Sequence, residues 1–277
     1  MDNKIRPLLR RKEAAIMGII NATPDSFSDG GLFNQMDLAV KHALKLLEQG
    51  ADILDIGGES TRPGADKVSL QQELDRVIPL IEKLSGETSA PISIDTYKPQ
   101  VMQAAVDAGA SMINDVNGLR ADGAIKVAAK ANVPVCIMHM LGAPKTMQQS
   151  PHYESVVDEV LAFLQDQIGL CLEHGIDASD IVADPGIGFG KSLSHNLLLL
   201  KNVEKIKQAL ACHVLIGVSR KSMIDLILGR PVKQRVSASV GLAVQAVLNG
   251  AKIVRVHDVR ETFDAIRAVE AVRDSGF

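Results

Sequence analysis

The chain has 277 residues, of which 46% are hydrophobic and 23% are charged, and its formal net charge is −3. This composition is typical of a folded globular protein, and the small net charge gives no basic surplus for binding nucleic acid or a membrane surface. Residues 1–12 are charged, and no uncharged apolar run approaches membrane-spanning length. We therefore expect no secretory signal, no membrane partner and a cytoplasmic location.

Short apolar runs, each a candidate strand, recur along the chain at residues 15–20, 52–56, 91–94, 111–113, 133–138, 181–183, 213–218 and 252–256. Segments with helical periodicity separate them. The first predicted helix has its N-cap at Asp37 and closes at Gly50. Its apolar residues follow the i, i+3, i+4, i+7 spacing and are Val40, Ala43, Leu44 and Leu47. A similar apolar stripe precedes Gly109 and consists of Val101, Met102 and Ala105.

Three of these helices end in a Gly-Ala pair that leads directly into a strand, at Gly50, Gly109 and Gly250. Glycine tolerates the left-handed conformation that ends many helices, so each pair predicts a helix C-cap. Strands that alternate with helices indicate βαβ units and a parallel sheet. Eight such units without a linker favour a (β/α)8 TIM barrel in a single domain over residues 1–277. An open, doubly wound sheet is the alternative, because strand order cannot be read from one sequence.

Polar residues gather where the predicted strands end, which is where TIM barrels carry their active sites. They include Asn21, Asp55, Arg62, Asp95, Asn114, Asp115, His139, Asp184, Lys221, Arg255 and His257. Taken singly, Asp95 or Asp115 would fit an N-cap for the next helix. Capping does not require Asn, Arg, Lys or His at these places, so the set as a whole predicts a site for a polar, anionic substrate.

Other chemistries fit less well. The glycine-rich residues 184–191 lack the spacing of a P-loop or of a dinucleotide-binding fingerprint. Lys221 could form a Schiff base as in aldolase-type barrels, but its place at a helix start beside Arg220 favours a fixed cation. His139 and His257 have no third ligand at a recognised zinc spacing. The three cysteines, Cys136, Cys171 and Cys212, lie apart and predict buried thiols rather than disulfides or a zinc site.

Eight strings between residues 15 and 260 resemble, in order, the signatures of the dihydropteroate synthase family. They are residues 17–31 (MGIINATPDSFSDGG), 57–64 (GGESTRPG), 93–96 (SIDT), 113–116 (INDV), 138–140 (MHM), 184–191 (DPGIGFGK), 219–222 (SRKS) and 255–258 (RVHD). The departures are small: Ala22 stands where the family often has valine, and Ala238-Ser239 stands where a Gly-Ser pair is common.

The resemblance implies that the enzyme joins 6-hydroxymethyl-7,8-dihydropterin diphosphate to 4-aminobenzoate and releases diphosphate. In that reaction Mg²⁺ would stabilise the leaving group, with Asn21 as its protein ligand. The diphosphate would be bound by Thr61, Arg62, Arg255 and His257. Arginine suits phosphate because its planar group donates two hydrogen bonds at once.

For the pterin, the resemblance implies recognition by Asn114, Asp184 and Lys221, with Arg255 stacking on the ring. The route would be dissociative, and Asp95 would stabilise the positive charge that develops on the pterin. Asp95, Lys221 and Arg255 are therefore the predicted catalytic residues.

The resemblance also implies a site for the amine substrate. Its carboxylate would bind Ser222 at a helix start, and its ring would pack against Phe27, Pro63 and Phe189. The loops that carry Phe27 and Pro63 would close over bound pterin, and sulfonamides would compete with the amine.

Two rival functions share the pterin site. A methyltransferase module that holds methyl-folate would not need the diphosphate-binding residues around Asn21 and Thr61-Arg62-Pro63. A paralogue that binds pterin without turnover would be expected to lose part of these two loops, and both are intact here. The expected partners are small-molecule substrates and, by resemblance, a second copy of the chain in a homodimer, with no nucleic acid.

Overall fold

The computed structural model describes residues 3–22, 32–60, 64–142, 147–148 and 150–276. Its strands are parallel and close into a barrel in chain order, with the first strand paired to the last. They are β1 (Ala15–Asn21), β2 (Ile53–Gly57), β3 (Ile92–Asp95), β4 (Met112–Asp115), β5 (Val135–Met138), β6 (Ile181–Asp184), β7 (His213–Ile216) and β8 (Ile253–Val256). The predicted TIM barrel is confirmed, and pairing of β1 with β8 excludes the open sheet.

Helices surround the barrel in the described part of the chain. They are α1 (Arg6–Arg10), α2 (Leu32–Glu48), α3 (Leu70–Glu87), α4 (Pro99–Asp107), α5 (Ala124–Ala131), α6 (Val156–Glu173), α7 (Leu193–Lys201), α8 (Val203–Leu210), α9 (Ser222–Leu228), α10 (Val236–Leu248) and α11 (Val259–Asp274). Two short 3₁₀ helices lie at Ala178–Asp180 and Val232–Gln234. No described helix combines the length and the apolar character needed to cross a membrane.

Two apolar layers hold the barrel together because successive side chains of a strand point to opposite faces. In β1, Ile16 and Ile20 belong to the large core between strands and outer helices, whereas Met17 belongs to the cluster inside the barrel. Ile5, which precedes α1, and Leu9, which lies within it, complete the interior cluster. This apolar cluster fills the barrel on the side away from the carboxyl ends of the strands.

The predicted helix ends at Gly50, Gly109 and Gly250 are confirmed. Each glycine has a positive φ, and its N–H and the following alanine N–H bond back to carbonyls three and five residues earlier. This pattern is a Schellman motif, which satisfies the last carbonyls of the helix.

Two smaller sequence predictions need correction. Asp37 is not an N-cap, because α2 already begins at Leu32 and the Asp37 carboxylate instead accepts a hydrogen bond from Lys83 of α3 at 2.7 Å. The alternative that Asp95 and Asp115 cap helices is excluded, since the N-caps of α4 and α5 are Lys98 and Gly123. Cys136 and Cys171 are buried as predicted, whereas Cys212 is only partly buried.

Candidate functional site

A layer of polar side chains lies inside the barrel, on four of the strands two residues further along than the apolar interior cluster. The period-two alternation of a strand puts both residues of such a pair on the same inner face. The pairs are Ile53 and Asp55, Met112 and Asn114, Val182 and Asp184, and Ile253 and Arg255. The strand ends therefore converge on one polar floor.

Arg255 is the centre of this floor. Its Nε donates to Asp55 Oδ2 at 2.6 Å, and its Nη2 donates to Asp95 Oδ2 at 2.7 Å. Asn114 Nδ2 adds a longer contact to Asp55 Oδ2 at 3.3 Å. Asp55 is fully buried. It was among the polar residues predicted at the strand ends, but no specific role was predicted for it. Its position two residues after the interior Ile53 indicates that it belongs to the floor.

Asp95 is buried and has an unusual carboxyl group. Burial raises its pKa to about 7, and the positive charge of Arg255 opposes that rise. Its second oxygen, Oδ1, is buried without a hydrogen-bond partner in the described part of the chain. Because an unpaired buried acceptor is costly, Oδ1 is a candidate for a bond to a ligand donor.

Asp184 is the carboxylate at the end of β6. Its Oδ1 accepts the Gly186 N–H at 2.7 Å, while Oδ2 has no hydrogen bond to any described residue. Burial raises the pKa of this carboxyl, and the nearby charge of Lys221 is the largest effect that lowers it. The side chain is thus fixed through one oxygen and can accept from a ligand with the other.

Lys221 and Phe189 face each other beside this carboxylate. Lys221 Nζ donates to the Ile187 carbonyl and lies 4.7 Å from the centre of the Phe189 ring. Burial lowers the pKa of Lys221 to about 8, although the charge of Asp184 opposes that shift. The Lys221 ammonium group is thus held by the Ile187 carbonyl and the Phe189 ring.

All four residues of the turn from Ser219 to Ser222 line the site. Arg220 has a φ of +57°, a conformation that non-glycine residues rarely adopt. The Ser239 hydroxyl accepts the Arg220 N–H at 2.9 Å, and Arg235 Nη1 donates to the Arg220 carbonyl at 3.1 Å. Ser239 is the serine of the Ala238-Ser239 pair that stands where a Gly-Ser pair is common, and its hydroxyl helps to hold this turn.

The end of β8 is tied to the same turn. The Ser219 hydroxyl lies 3.1 Å from both the backbone nitrogen and Nδ1 of His257. Arg220 forms an ion pair with Asp258, the residue that follows His257 in the chain. His257 is therefore oriented by a serine hydroxyl from the neighbouring strand end.

These side chains line a cavity of about 500 Å³ at the carboxyl ends of the strands. The predicted site residues that line it are Asn21, Asp95, Phe189, Lys221, Ser222, Arg255 and His257. The predicted residues Asn114 and Asp184 are buried at the floor described above. Phe27, Thr61, Arg62 and Pro63 lie outside the described residues. Further lining residues not in our prediction are Glu59, Ser60, Ser219, Arg220 and Arg235.

The cavity has a positive character. Among the described residues that line it, four are arginine or lysine, and only Glu59 and Asp95 are carboxylic acids. Arg220, Arg235 and Arg255 are paired with carboxylates, and all four cations can donate hydrogen bonds to an anionic group. A planar group held over the polar floor, with negative groups around it, fits this arrangement.

Asn21 is the residue that could hold a metal ion. It ends β1 and lines the cavity, and its side chain makes no hydrogen bond to any described residue. Among those residues no group of three His, Cys, Asp or Glu side chains could hold a metal. A single amide oxygen does not make a protein cage, but it suits Mg²⁺, which commonly takes its remaining ligands from phosphate and water.

Comparison with known proteins identifies the family of this chain. The family model for pterin-binding enzymes matches residues 17–257. A dihydropteroate synthase of Haemophilus influenzae is 49% identical over 94% of this chain and 94% of its own length. One of Escherichia coli is 48% identical over 92% of this chain and 90% of its own.

Solved structures show the same similarity. A Xanthomonas albilineans dihydropteroate synthase with 4-aminobenzoic acid superposes with a TM-score of 0.90 at 48% identity, covering 95% of this chain and 94% of that one. A Yersinia pestis dihydropteroate synthase with a sulfonamide drug complex has a TM-score of 0.90 at 47% identity, with 95% of both chains covered. This chain belongs to the dihydropteroate synthase family, whose members are pterin-binding transferases.

Proposed function

We propose that this chain joins 6-hydroxymethyl-7,8-dihydropterin diphosphate to 4-aminobenzoate, giving 7,8-dihydropteroate and diphosphate. The observation that carries the proposal is the polar floor, on which Arg255 links Asp55 to Asp95 under a cavity with a surplus of cations. The Xanthomonas albilineans relatives with 4-aminobenzoic acid and with 7,8-dihydropteroate support the choice of substrate and product.

The floor supplies the groups that a pterin edge needs. Asp184 Oδ2 can accept from the pterin amino group and ring N–H, because Oδ1 is already held by Gly186. Asn114 offers both a donor and an acceptor, and Lys221 donates to ring acceptors. The Arg255 guanidinium, fixed by two carboxylates, can stack on the ring face.

The diphosphate would lie toward Asn21 and His257, at the ends of β1 and β8, with Thr61 and Arg62 as further ligands. Mg²⁺ held by Asn21 would neutralise charge on the leaving phosphate oxygens. His257 can donate to a phosphate oxygen because Ser219 fixes the orientation of its ring. These strands are neighbours in the barrel, so the groups share one side of the cavity.

The amine substrate would occupy the side lined by Phe189, Lys221 and Ser222, with Phe27 and Pro63 as further walls. Ser222 is exposed at the first turn of α9, where its hydroxyl and the helix N–H groups can bind a carboxylate. Phe189 provides an apolar wall for the ring. Sulfonamides that resemble the amine would compete for this side.

In the proposed reaction the bond between the pterin methylene carbon and the diphosphate oxygen breaks first, and both electrons leave with the diphosphate. The positive charge that remains is spread over the pterin, and the buried Asp95 stabilises it from below. The amine nitrogen then bonds to the methylene carbon and releases one proton to water. Lys221 and Arg255 hold the pterin during these steps.

The deciding test is release of diphosphate from pterin diphosphate by the purified protein. We expect release that requires both 4-aminobenzoate and Mg²⁺ and that stops when EDTA is added. Tight pterin binding without release would identify a non-catalytic pterin-binding protein. Methyl transfer from methyl-folate to a corrinoid protein, without diphosphate release, would identify the methyltransferase alternative.

We also propose that the chain forms a homodimer through α7 and α9. Neighbouring residues of these helices expose large apolar side chains, including Leu197, Leu198, Leu226, Ile227 and Leu228. Exposed apolar patches of this kind mark protein interfaces. Sedimentation should show a dimer for the native chain and a monomer for Leu226→Glu, whereas the same mass for both would exclude this interface.

A further inference from the structure

The segment from Gly186 to Gly190 connects the pterin side of the cavity to the amine side. It follows Asp184 and carries Phe189, and its three glycines have positive φ values of 70°, 83° and 64°. The segment belongs to no helix or strand, so its backbone groups lack the regular hydrogen bonds of those elements. Its conformation must therefore be held by groups from elsewhere in the chain.

Four consecutive carbonyl groups of this segment each accept a hydrogen bond from a different side chain. Ile187 accepts from Lys221, Gly188 from Gln148, Phe189 from Lys191 and Gly190 from Tyr153. Only Lys221 belongs to the site already described. The other three donors approach from outside the cavity lining.

Lys191 is the donor that holds Phe189. Its side chain is buried, and its Nζ lies 3.0 Å from the Phe189 carbonyl, 2.9 Å from His139 Nδ1 and 3.3 Å from the His139 carbonyl. These are three acceptors for the three hydrogens of an ammonium group. Burial lowers the pKa of Lys191 to about 7, and the charge of Asp184 opposes this shift.

His139 presents a fixed acceptor to this ammonium group. Burial and then the charge of Lys191 lower the pKa of His139 to about 3, so the ring is neutral near pH 7. A neutral ring that accepts at Nδ1 carries its proton on Nε2. The ring packs edge-on against Phe163, with 5.0 Å between the ring centres. The end of β5 thus provides a rigid support for Lys191.

The space around Lys191 Nζ is tightly filled. A Cβ added to Gly186 would lie 1.9 Å from the His139 carbonyl oxygen and 3.3 Å from Lys191 Nζ. The same glycine N–H holds Asp184. A shift of the ammonium group would therefore be transmitted first to Phe189, whose carbonyl it contacts, whereas Asp184 stays held by the Gly186 backbone N–H.

We propose that Lys191 is a positioning residue for the amine substrate, which acts by fixing the Phe189 carbonyl against His139 and so holding the Phe189 ring as a wall of the cavity. Lys191 is 3% exposed and does not line the cavity, so it does not touch the substrates. Only the identity of the amine rests on the proposed function. That the Phe189 side of the cavity is the side affected follows from the structure, because Lys191 bonds to the carbonyl of Phe189, whose ring forms that wall.

The test compares Lys191→Met with Tyr153→Phe in the full-length protein. The methionine keeps the length of the chain but removes the donor to Phe189, whereas the control removes only the neighbouring donor to Gly190. We expect Lys191→Met to raise the KM for 4-aminobenzoate about tenfold, because the three bonds that fix the Phe189 carbonyl against His139 are lost. The KM for pterin diphosphate should stay within about twofold. Lys191→Arg should recover part of the loss, and Tyr153→Phe should have the smaller effect on the amine.

A second measurement does not depend on turnover. Hydrogen exchange of the unliganded protein should be faster at residues 187–190 in Lys191→Met than in Tyr153→Phe, and unchanged at strands away from β5 and β6. If Lys191→Met does not fold, Lys191→Gln replaces it in both measurements. Equal changes in both KM values, or unchanged exchange at residues 187–190, would overturn the proposal. Faster exchange in a native protein that releases no diphosphate would instead preserve the positioning role and reject the proposed reaction.

Discussion

Arg255 lies between Asp55 and Asp95, with its Nε 2.6 Å from Asp55 Oδ2 and its Nη2 2.7 Å from Asp95 Oδ2. The two carboxylates come from β2 and β3, and the guanidinium comes from β8. Both carboxylates hold the pKa of Arg255 above its ordinary value, although burial acts in the opposite direction. The guanidinium is therefore charged and oriented before any substrate arrives.

Replacing Asp55 with Asn should loosen this arrangement while keeping the shape of the side chain. We expect the free energy of unfolding to fall by about 2 kcal/mol, the value typical of one hydrogen bond between charged groups. The kcat/KM for pterin diphosphate should fall as well, because Arg255 is less well oriented. Urea unfolding and steady-state kinetics measure the two effects. Native stability together with native kinetics would show that Asp55 does not orient Arg255.

Replacing Asp184 with Asn should weaken pterin binding with little loss of stability. With its oxygen on the Gly186 N–H, the amide would present an NH2 donor where the pterin edge requires an acceptor oxygen, so we expect affinity for pterin diphosphate to fall about 100-fold. Calorimetry measures the affinity directly. Near-native affinity would refute the role of Asp184.

Asp115→Asn is the matched control for that measurement. Asp115 is also a buried aspartate at a strand end, but its two oxygens accept the N–H groups of Asn117 and Leu119. We expect its replacement to lower stability while the pterin affinity stays native. A comparable loss of affinity in both variants would mean that the calorimetric effect is a general consequence of altering the floor.

Removing the Ser219 hydroxyl should affect the leaving group more than the amine. In Ser219→Ala the His257 ring loses the hydroxyl that lies 3.1 Å from its Nδ1, so its bond to phosphate should be less well directed. We expect a kcat about tenfold lower and an unchanged KM for 4-aminobenzoate. Ser85→Ala, whose hydroxyl bonds the Ala108 carbonyl outside the cavity, is the control. A rise in the amine KM alone would assign Ser219 to the other half of the site.

Asn21→Ala tests the magnesium assignment. Loss of a direct ligand should raise the Mg²⁺ concentration needed for half-maximal diphosphate release by about tenfold or more. Replacing even a residue that only orients a metal ligand typically lowers metal affinity by about that factor. Binding of a pterin without diphosphate should not change, because that ligand does not require the metal. An unaltered Mg²⁺ requirement would place the ion on other ligands.

Acidification should destabilise the protein in part through His139. Its pKa is lowered to about 3 in the fold from the ordinary 6.5. Between pH 3 and pH 6.5 His139 binds a proton in the unfolded chain but not in the folded one. The contribution of His139 to stability is therefore complete above pH 6.5 and is lost as the pH falls toward 3. At pH 5 the loss from this one group is about 2 kcal/mol. Urea unfolding at pH 7 and pH 5 should therefore show a smaller pH dependence for His139→Gln, and an equal dependence would contradict this explanation.

Local sequence determined where the strands and several helix ends lie. Apolar runs placed the eight strands, and Gly50, Gly109 and Gly250 marked helix ends because left-handed geometry at a helix terminus favours glycine. The same local reasoning was wrong at Asp37, because an N-cap preference is weak and the residue pairs with Lys83 of another helix. The family signatures brought most of the site residues into view, but not Asp55 or Arg235.

The sequence by itself thus determined the order of strands and helices and the kinds of polar group available at the strand ends. Only the tertiary structure decided which groups meet. Arg255 reaches Asp55, 200 residues earlier in the chain, and Lys191 reaches His139, 52 residues earlier. The physical reason is that barrel closure brings β8 beside β1 and points alternate side chains of every strand at one axis. Partners in a hydrogen bond are then set by that three-dimensional convergence, which no local pattern of residues encodes.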